Sequence, residues 1–480
     1  MAGLSRDSPA LKSIVDSRSG HRYTPKDLVE RPEVAVKGRY VVVSVLMVVL
    51  SVCGPERCRA SGEAVLTAAP QTALIDAPVR IRAKTQSAHA VVTIEARAEI
   101  DGTAYRSWAS YRTDATGAVN LDAAAPLQGT YAGVDGMGLF WSMQPISSHG
   151  YVPASVVPVR IRLTLYTTTG SNSVTLTRER IAADVTRVAL RGEPIVGTLF
   201  LSRKSSPRGI VVVLGGSEGG MDENRAAIIA SHGFDTLALA YFGVSGLPAE
   251  LANIPVEYVE RAIAWVRERH EISSLPILLE GDSKGAELAL LIAARNPSIK
   301  GVVAFAPSSS VFEGFSTKQG VRRSAWSISG APAPYADNPV PPAVKAEIRA
   351  ERAAKRPVSF REQYMALATP PSSDSAIAVE NIAGPLLLVA GADDQLWPSA
   401  VFASRIIAAR EASHVNFSDQ LLIFPNAGHA IDVPYMPTNG LAVINEGSFL
   451  LALGGTAEGY AHADAMMWPK VIAFLDRLCQ

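Results

Sequence analysis

The sequence predicts an all-β sandwich followed by an α/β domain built on a parallel sheet, and three observations lead there. Residues 70 to 195 carry short alternating or β-branched runs separated by turn residues. From residue 209 the texture changes to apolar strand, Gly-rich turn and amphipathic helix, repeated. A chain of 480 residues has room for both parts, at roughly 100 to 200 residues per domain.

The N-terminal extension, residues 1–62, is a separate matter. Residues 1–36 are polar, and Lys37 and Arg39 then precede YVVVSVLMVVLSV at 40–52. That run is short of the roughly 20 apolar residues a membrane span needs. It reads as the apolar core of a signal peptide and predicts export, with Ala60, Ser61 and Gly62 as small residues for a peptidase and Cys53 as an alternative point of lipid attachment. A buried N-terminal strand, a short membrane anchor and a cytoplasmic chain whose apolar run is not a working signal are the alternatives.

In the first domain, residues 70–195, VRIRA (79–83), VVTIEARAEI (91–100), RIRLTLYTT (160–168) and VTLTRERI (174–181) are strands, with DATG (114–117) and TGSNS (169–173) as turns. Strands at this spacing fit an Ig-like sandwich. In the second, residues 196–480, GIVVVLGG leads into ENRAAIIASHG, then DTLALAYFG, VEYVERAIAWVRERH and PILLEGDSKG. Tyr258, Val259, Ala262, Ile263 and Val266 recur at helical spacing and form one sheet-facing stripe. Strands alternating with such helices give a parallel sheet covered on both faces.

Composition narrows the function. Lys plus Arg and Asp plus Glu balance at 45 each, so no charge excess draws the chain to nucleic acid or anionic lipid. Three cysteines, at 53, 58 and 479, make neither a disulfide framework nor a zinc set, and neither metal nor cofactor is expected. A small-molecule enzyme or binding protein remains.

The stretch ILLEGDSKGAELALL decides between them. A parallel strand that ends in Gly-x-Ser-x-Gly and runs straight into a helix is the setting of a nucleophile elbow. Gly281 and Gly285 leave room for the sharp turn that exposes Ser283, and the helix start supplies backbone N–H groups, that of Lys284 among them, for an anion forming on the substrate. Two later strands complete the order used by α/β-hydrolases. PLLLVAG (385–391) is followed by Asp393 and Asp394, and LLIFPN (421–426) by His429. His429 is placed to take the Ser283 proton while one aspartate, with Asp394 preferred over Asp393, orients the imidazole. The Gly-rich turn after the early strand, LGGSEGG, is not followed by the Gly-Lys-Ser/Thr of a phosphate loop; in a hydrolase it supplies the second oxyanion N–H, from Ser217 or Glu218. The other histidines lack such a setting.

Several blocks resemble one family closely. SWASYRTDATGAVNLDAAAPLQGTYAGVDGMGLFWSM (107–143), VVLGGSEGGMDENRAAIIASHGFDTLALAYFG, GDSKGAELAL, GADDQLWPS and FPNAGHAIDVPYMP are similar to the acyl-CoA thioesterase and bile acid-CoA:amino acid N-acyltransferase family, and the likeness runs over about residues 70–480. The resemblance implies a β-sandwich followed by an α/β-hydrolase domain, with Ser283 as nucleophile, His429 as base and Asp394 as orienter. It implies hydrolysis of acyl-CoA thioesters or transfer of the acyl group to an amino acid such as glycine or taurine. The acyltransferase branch resembles a cysteine enzyme at the nucleophile, so Ser283 favours hydrolysis. At position 282 this chain has Asp where the family is usually small or apolar, which puts the pH profile or substrate choice in question.

Between the strand after the nucleophile helix and the acid strand lies an insertion, about residues 312–375, placed where lids rest over such sites. Its run VKAEIRAERAAKR reads as a solvated helix face, with Arg322, Arg323 and Lys345 as candidates for a CoA phosphate clamp. The expected partner is acyl-CoA or a related thioester or ester, with no nucleic acid. Export and a CoA substrate conflict, because CoA esters are cytosolic. An exported serine esterase or amidase resolves that conflict, and a non-enzymatic binding protein built on the sandwich is the remaining class.

Overall fold

Alternation of apolar and polar residues builds the N-terminal sheets. The computed structural model describes residues 64–479 except 147–155, 193–194, 204–207, 270–274, 316–321 and 371–373, together with 447–448. The apolar segment 40–52, Cys53, Cys58 and the candidate cleavage residues lie outside them. Arg80–Lys84 alternates strictly between exposed and buried, and Val159–Thr167 buries Val159, Ile161, Leu163 and Leu165 while Arg160 and Arg162 face water. Val65–Ala69, Arg80–Lys84 and Ala118–Asn120 make one antiparallel sheet. A larger sheet is built on the hairpin Val91–Ile100 and Thr103–Arg112, flanked by Val159–Thr167 and Gly170–Glu179. That hairpin turns at Asp101 and Gly102, both at positive φ, the backbone a two-residue Asp-Gly turn takes. Leu66, Ile81 and Val119 of the smaller sheet and Ile94, Leu163, Leu165 and Leu176 of the larger meet in one core.

The second part holds an eight-stranded sheet: β1 (Val185–Gly192), β2 (Ile195–Ser202), β3 (Ile210–Leu214), β4 (Asp235–Leu239), β5 (Ile277–Asp282), β6 (Ile299–Phe305), β7 (Leu386–Gly391) and β8 (Gln420–Phe424). Its order is β1-β2-β4-β3-β5-β6-β7-β8, antiparallel through β2 and parallel from β4 onward. The sheet begins at Val185, earlier than the join expected at 195/196, because the alternation of VTRVALRG suits either sheet and pairing with β2 settles it.

The central strands are apolar throughout because both faces are covered. Val211 and Val213 of β3 pack on the side of α1 (Glu223–Ser231) and a long C-terminal helix, Ala457–Leu478. Val212 and Leu214 pack on the side of α2 (Val256–Glu268), α3 (Lys284–Arg295) and a helix at Ser399–Ala412. Since β3, β5, β7 and β8 are parallel, the loops leaving their C-terminal ends share one edge, and β3 lies directly beside β5 where the strand order reverses.

Two further helices follow β6, α4 (Pro342–Ala353) and α5 (Arg361–Leu367). α4 buries none of its residues, whereas α5 sets Tyr364 and Leu367 into a cluster with Phe312, Trp397 and Phe402. The N–H groups of Phe360 and Arg361 both donate to the Gln395 carbonyl, so the insertion is tied to the loop after β7. The helices after β7 and at the C-terminus are α6 (Ser399–Ala412) and α7 (Ala457–Leu478). The N-terminal sheets meet this part through Asp76, which accepts Trp468 Nε1–H of α7 at 2.8 Å and faces His232 Nε2 at 2.5 Å.

Candidate active site

Ser283 stands between β5 and α3 at φ +52°, ψ −118°. A non-glycine residue in that region stores strain, on the order of 1–3 kcal/mol, and keeps it only where surrounding contacts enforce it. Here the Ser283 N–H donates to Phe305 O of β6 at 2.9 Å, and the Ser283 carbonyl accepts Glu287 N–H at 3.1 Å as the first turn of α3. Both neighbouring glycines are demanded by contact. A Cβ on Gly281 would lie 2.4 Å from Gly285 O, and one on Gly285 would lie 2.0 Å from Leu214 O.

His429, past β8, reaches Ser283 Oγ with Nε2 at 2.9 Å and Asp394 Oδ2 with Nδ1 at 2.9 Å. Asp394 is fully buried, and its other oxygen accepts the N–H groups of Leu396 and Trp397 at 3.0 and 3.1 Å. Those bonds satisfy the buried carboxyl oxygen without water and fix the plane of the group. Asp393 turns the other way, accepting Gly455 N–H and Gln395 Nε2–H, each at 2.8 Å. The Trp397 ring packs edge-on against the imidazole at 5.7 Å, its own N–H held by Ala306 O. When Nδ1–H is given to Asp394, this geometry allows Nε2 to accept a proton from Ser283 Oγ.

The loop after β3 lies beside this serine because Leu214 pairs with Gly281 across the two strands. Of the amides expected to bind an oxyanion, those of Ser217 and Lys284 have no hydrogen-bond partner among the described residues. The Glu218 carboxylate folds back and accepts Gly216 N–H at 2.9 Å. Tyr241 OH donates to the Gly215 and Gly216 carbonyls from the end of β4, so the loop is braced from both sides.

A polar hub under these loops escapes a sequence reading. Arg225 of α1, with a side chain only 6% exposed, donates to Glu280 at 2.8 Å and Asp432 at 2.9 Å, and lies 3.5 Å from Asp282 and 3.4 Å from Asp222. One cation thus joins the loops after β3, β5 and β8. Burial pushes Glu280 up to about 7 against the pull of Arg225. Asp282 is pushed well above the usual carboxylate range by burial and then by the charge of Glu218. Glu218 is open to solvent yet crowded on its flanks; loss of surrounding water raises it, and the charge of Asp222 adds to this. The signal that points to the hub is Glu280 in an otherwise apolar strand, ILLEG, facing an Arg in a helix buried along most of its length.

A second buried pair sits on α3. Lys284 Nζ meets both oxygens of Glu287 at 3.0 and 3.1 Å, and Glu287 Oε1 also accepts Trp326 Nε1–H and Phe312 N–H from the insertion. Of the clamp candidates, Arg322 is paired with Glu313 at 2.6 Å and packs on Tyr335, and Lys345 stands on the exposed α4.

Two family models match the chain, "Acyl-CoA thioester hydrolase/BAAT N-terminal region" over residues 76–192 and "BAAT / Acyl-CoA thioester hydrolase C terminal" over residues 254–479. Acyl-coenzyme A amino acid N-acyltransferase 1 of Mus musculus is 31% identical, covering 85% of this chain and 96% of its own. Acyl-coenzyme A thioesterase 6 of Homo sapiens is 27% identical over 84% of this chain and 93% of its own, and the peroxisomal succinyl-coenzyme A thioesterase of Mus musculus is 28% identical over 78% and 87%.

Proposed function

The chain belongs to the BAAT and acyl-CoA thioester hydrolase family, and from that premise we propose that it is an acyl-CoA thioesterase working through Ser283, His429 and Asp394. The observation that carries the proposal is His429 bridging Ser283 Oγ and Asp394 Oδ2 at 2.9 Å on each side. Ser283 Oγ attacks the thioester carbonyl carbon as its proton passes to His429 Nε2, and the resulting oxyanion is held by the amides of Ser217 and Lys284. The C–S bond then breaks, CoA leaves as a thiol with that proton, and an acyl-serine remains. Water, deprotonated by His429, attacks the acyl-serine; the acyl–Oγ bond breaks, Ser283 Oγ takes the proton back from His429, and the fatty acid is released. The N-terminal sheets are an Ig-like sandwich in this reading, and the insertion after β6 shapes the acyl pocket. Export through segment 40–52 belongs to the proposal as the route by which the chain would meet an ester or amide in place of CoA.

Transfer to an amino acid is the second reading, favoured by the 31% identity to a protein named as an amino acid N-acyltransferase. The test is release of CoA thiol by the full chain across short, medium and long acyl-CoAs, beside Ser283→Ala. Release lost in the variant supports the thioesterase, and release that persists overturns the serine mechanism. Adding glycine or taurine and analysing products separates the second reading, which requires the conjugate.

A further inference from the structure

Two carboxyl groups border Ser283 without a part in the steps above. A Cβ placed on Gly216 would lie 2.8 Å from Asp282 Oδ2, 2.8 Å from Glu218 Oε2 and 3.4 Å from Ser283 Cβ. Both oxygens therefore flank one point of the loop that carries the Ser217 amide, next to the nucleophile. Glu218 also holds that loop directly, through the Gly216 N–H at 2.9 Å.

We propose that Asp282 and Glu218 are positioning residues that act as one coupled carboxyl pair: Glu218 fixes the Gly216 peptide so that the Ser217 amide faces the acyl oxygen, and the charge on the pair governs how readily that oxygen becomes negative. The proposal rests on the serine mechanism just given. Its physical ground is repulsion at short range. Two carboxyls that flank one loop position titrate jointly, and the second ionisation adds a negative charge beside the place where the oxyanion forms. The surroundings cannot cancel that charge. Arg225 of α1 is the cation facing the pair, and it is already shared with Glu280 of β5 and Asp432 of the loop after β8, with Asp222 at the start of α1 3.4 Å away. Tyr241 at the end of β4 is a neutral donor held on the loop carbonyls, Asp464 of α7 holds the Asp432 N–H, and Lys284 of α3 is neutralised by Glu287. Loss of surrounding water raises both members of the pair, and neighbouring carboxylates add to it, Glu218 acting on Asp282 and Asp222 on Glu218.

The experiment measures kcat/KM against pH for the full chain, Asp282→Asn, Glu218→Gln and Glu218→Ala, with an acyl-CoA and a p-nitrophenyl ester, beside Ser283→Ala. The wild type should lose activity as pH rises above neutrality. Asp282→Asn and Glu218→Gln, each with one ionisation removed, should lose that falling limb and exceed the wild type about tenfold at the alkaline end. Glu218→Gln retains an oxygen for Gly216 N–H and Glu218→Ala does not, so Glu218→Ala alone should show kcat lowered about tenfold at unchanged KM. Profiles of Asp282→Asn and Glu218→Gln that superimpose on the wild type overturn the proposal, and equal kcat for the two Glu218 variants overturns its positioning half. Thermal melting establishes folding; if Asp282→Asn does not fold, Glu218→Gln reads the same limb. An active Ser283→Ala would sink the serine mechanism itself, whereas an inactive one with coincident profiles sinks only the pair.

Discussion

Asp394 differs from Asp393 in one respect that chemistry can read: it is the one whose carboxylate meets the imidazole. Replacing it by Asn keeps the shape but supplies an NH₂ donor toward Nδ1, so the histidine takes the tautomer with its proton on Nε2 and can no longer accept from Ser283. For Asp394→Asn, kcat is expected to fall roughly 10³- to 10⁴-fold with KM little changed. Asp393→Asn disturbs only the bonds to Gly455 and Gln395 and should stay within several-fold of wild type. Steady-state kinetics on the two variants decides the matter, and an Asp394→Asn enzyme of near-normal kcat would remove Asp394 from the mechanism. Ser283 and His429 stand out in the sequence because each closes an apolar strand with a small-residue turn. Adjacent aspartates in one loop carry no such mark, since which one faces inward depends on the path of the loop around Gly391, whose Cβ would strike the Gly428 and Ala427 carbonyls.

At the scale of elements, α3 shows what burial does to an otherwise ordinary helical ion pair. An exposed pair at this spacing contributes a few tenths of a kcal/mol, but Lys284 is 1% exposed and Glu287 fully buried. Removing one charge strands the other without water, so Glu287→Gln should cost about 3–5 kcal/mol in chemical denaturation. It also weakens the tie from α3 to Trp326 and Phe312, which opens the insertion. The double variant Lys284→Met, Glu287→Leu should recover much of that stability; a single variant as stable as wild type would show that the pair is solvated. The strands and helices themselves were legible, because periods of two and 3.6 follow directly from which face is buried. The join between the two parts was not, since β1 pairs across it, and neither was the run KGAELALL as an ion-pair site, because charges three residues apart read equally well as a solvated face.

Across the whole molecule, buried carboxyls fall into two classes that respond to pH in opposite senses. Asp76, at the junction between the N-terminal sheets and α7, is pushed up by burial, but the His232 hydrogen bond and charge and the Trp468 bond outweigh this and hold it below its usual value near 3.8. A depressed acid contributes stability above its unfolded value and loses it as pH falls, so Asp76 favours folding throughout the neutral range. Glu280 behaves in the other sense. Its oxygen Oε2 has no hydrogen-bond partner among the described residues, and burial raises the group to about 7 from its usual 4.5. The folded state therefore holds a proton there that the unfolded chain has already released. Its contribution is fully present below 4.5 and is lost as pH rises through 7, on the order of 3 kcal/mol. Urea unfolding of the full chain from about pH 5 to about pH 8 should accordingly show stability declining with pH, and Glu280→Gln, which cannot ionise, should make that decline shallower. Parallel curves for the two proteins would mean that Arg225 keeps Glu280 ionised at every pH tested, and that the hub under the loops around Ser283 is a settled ion pair with no part in the response to pH.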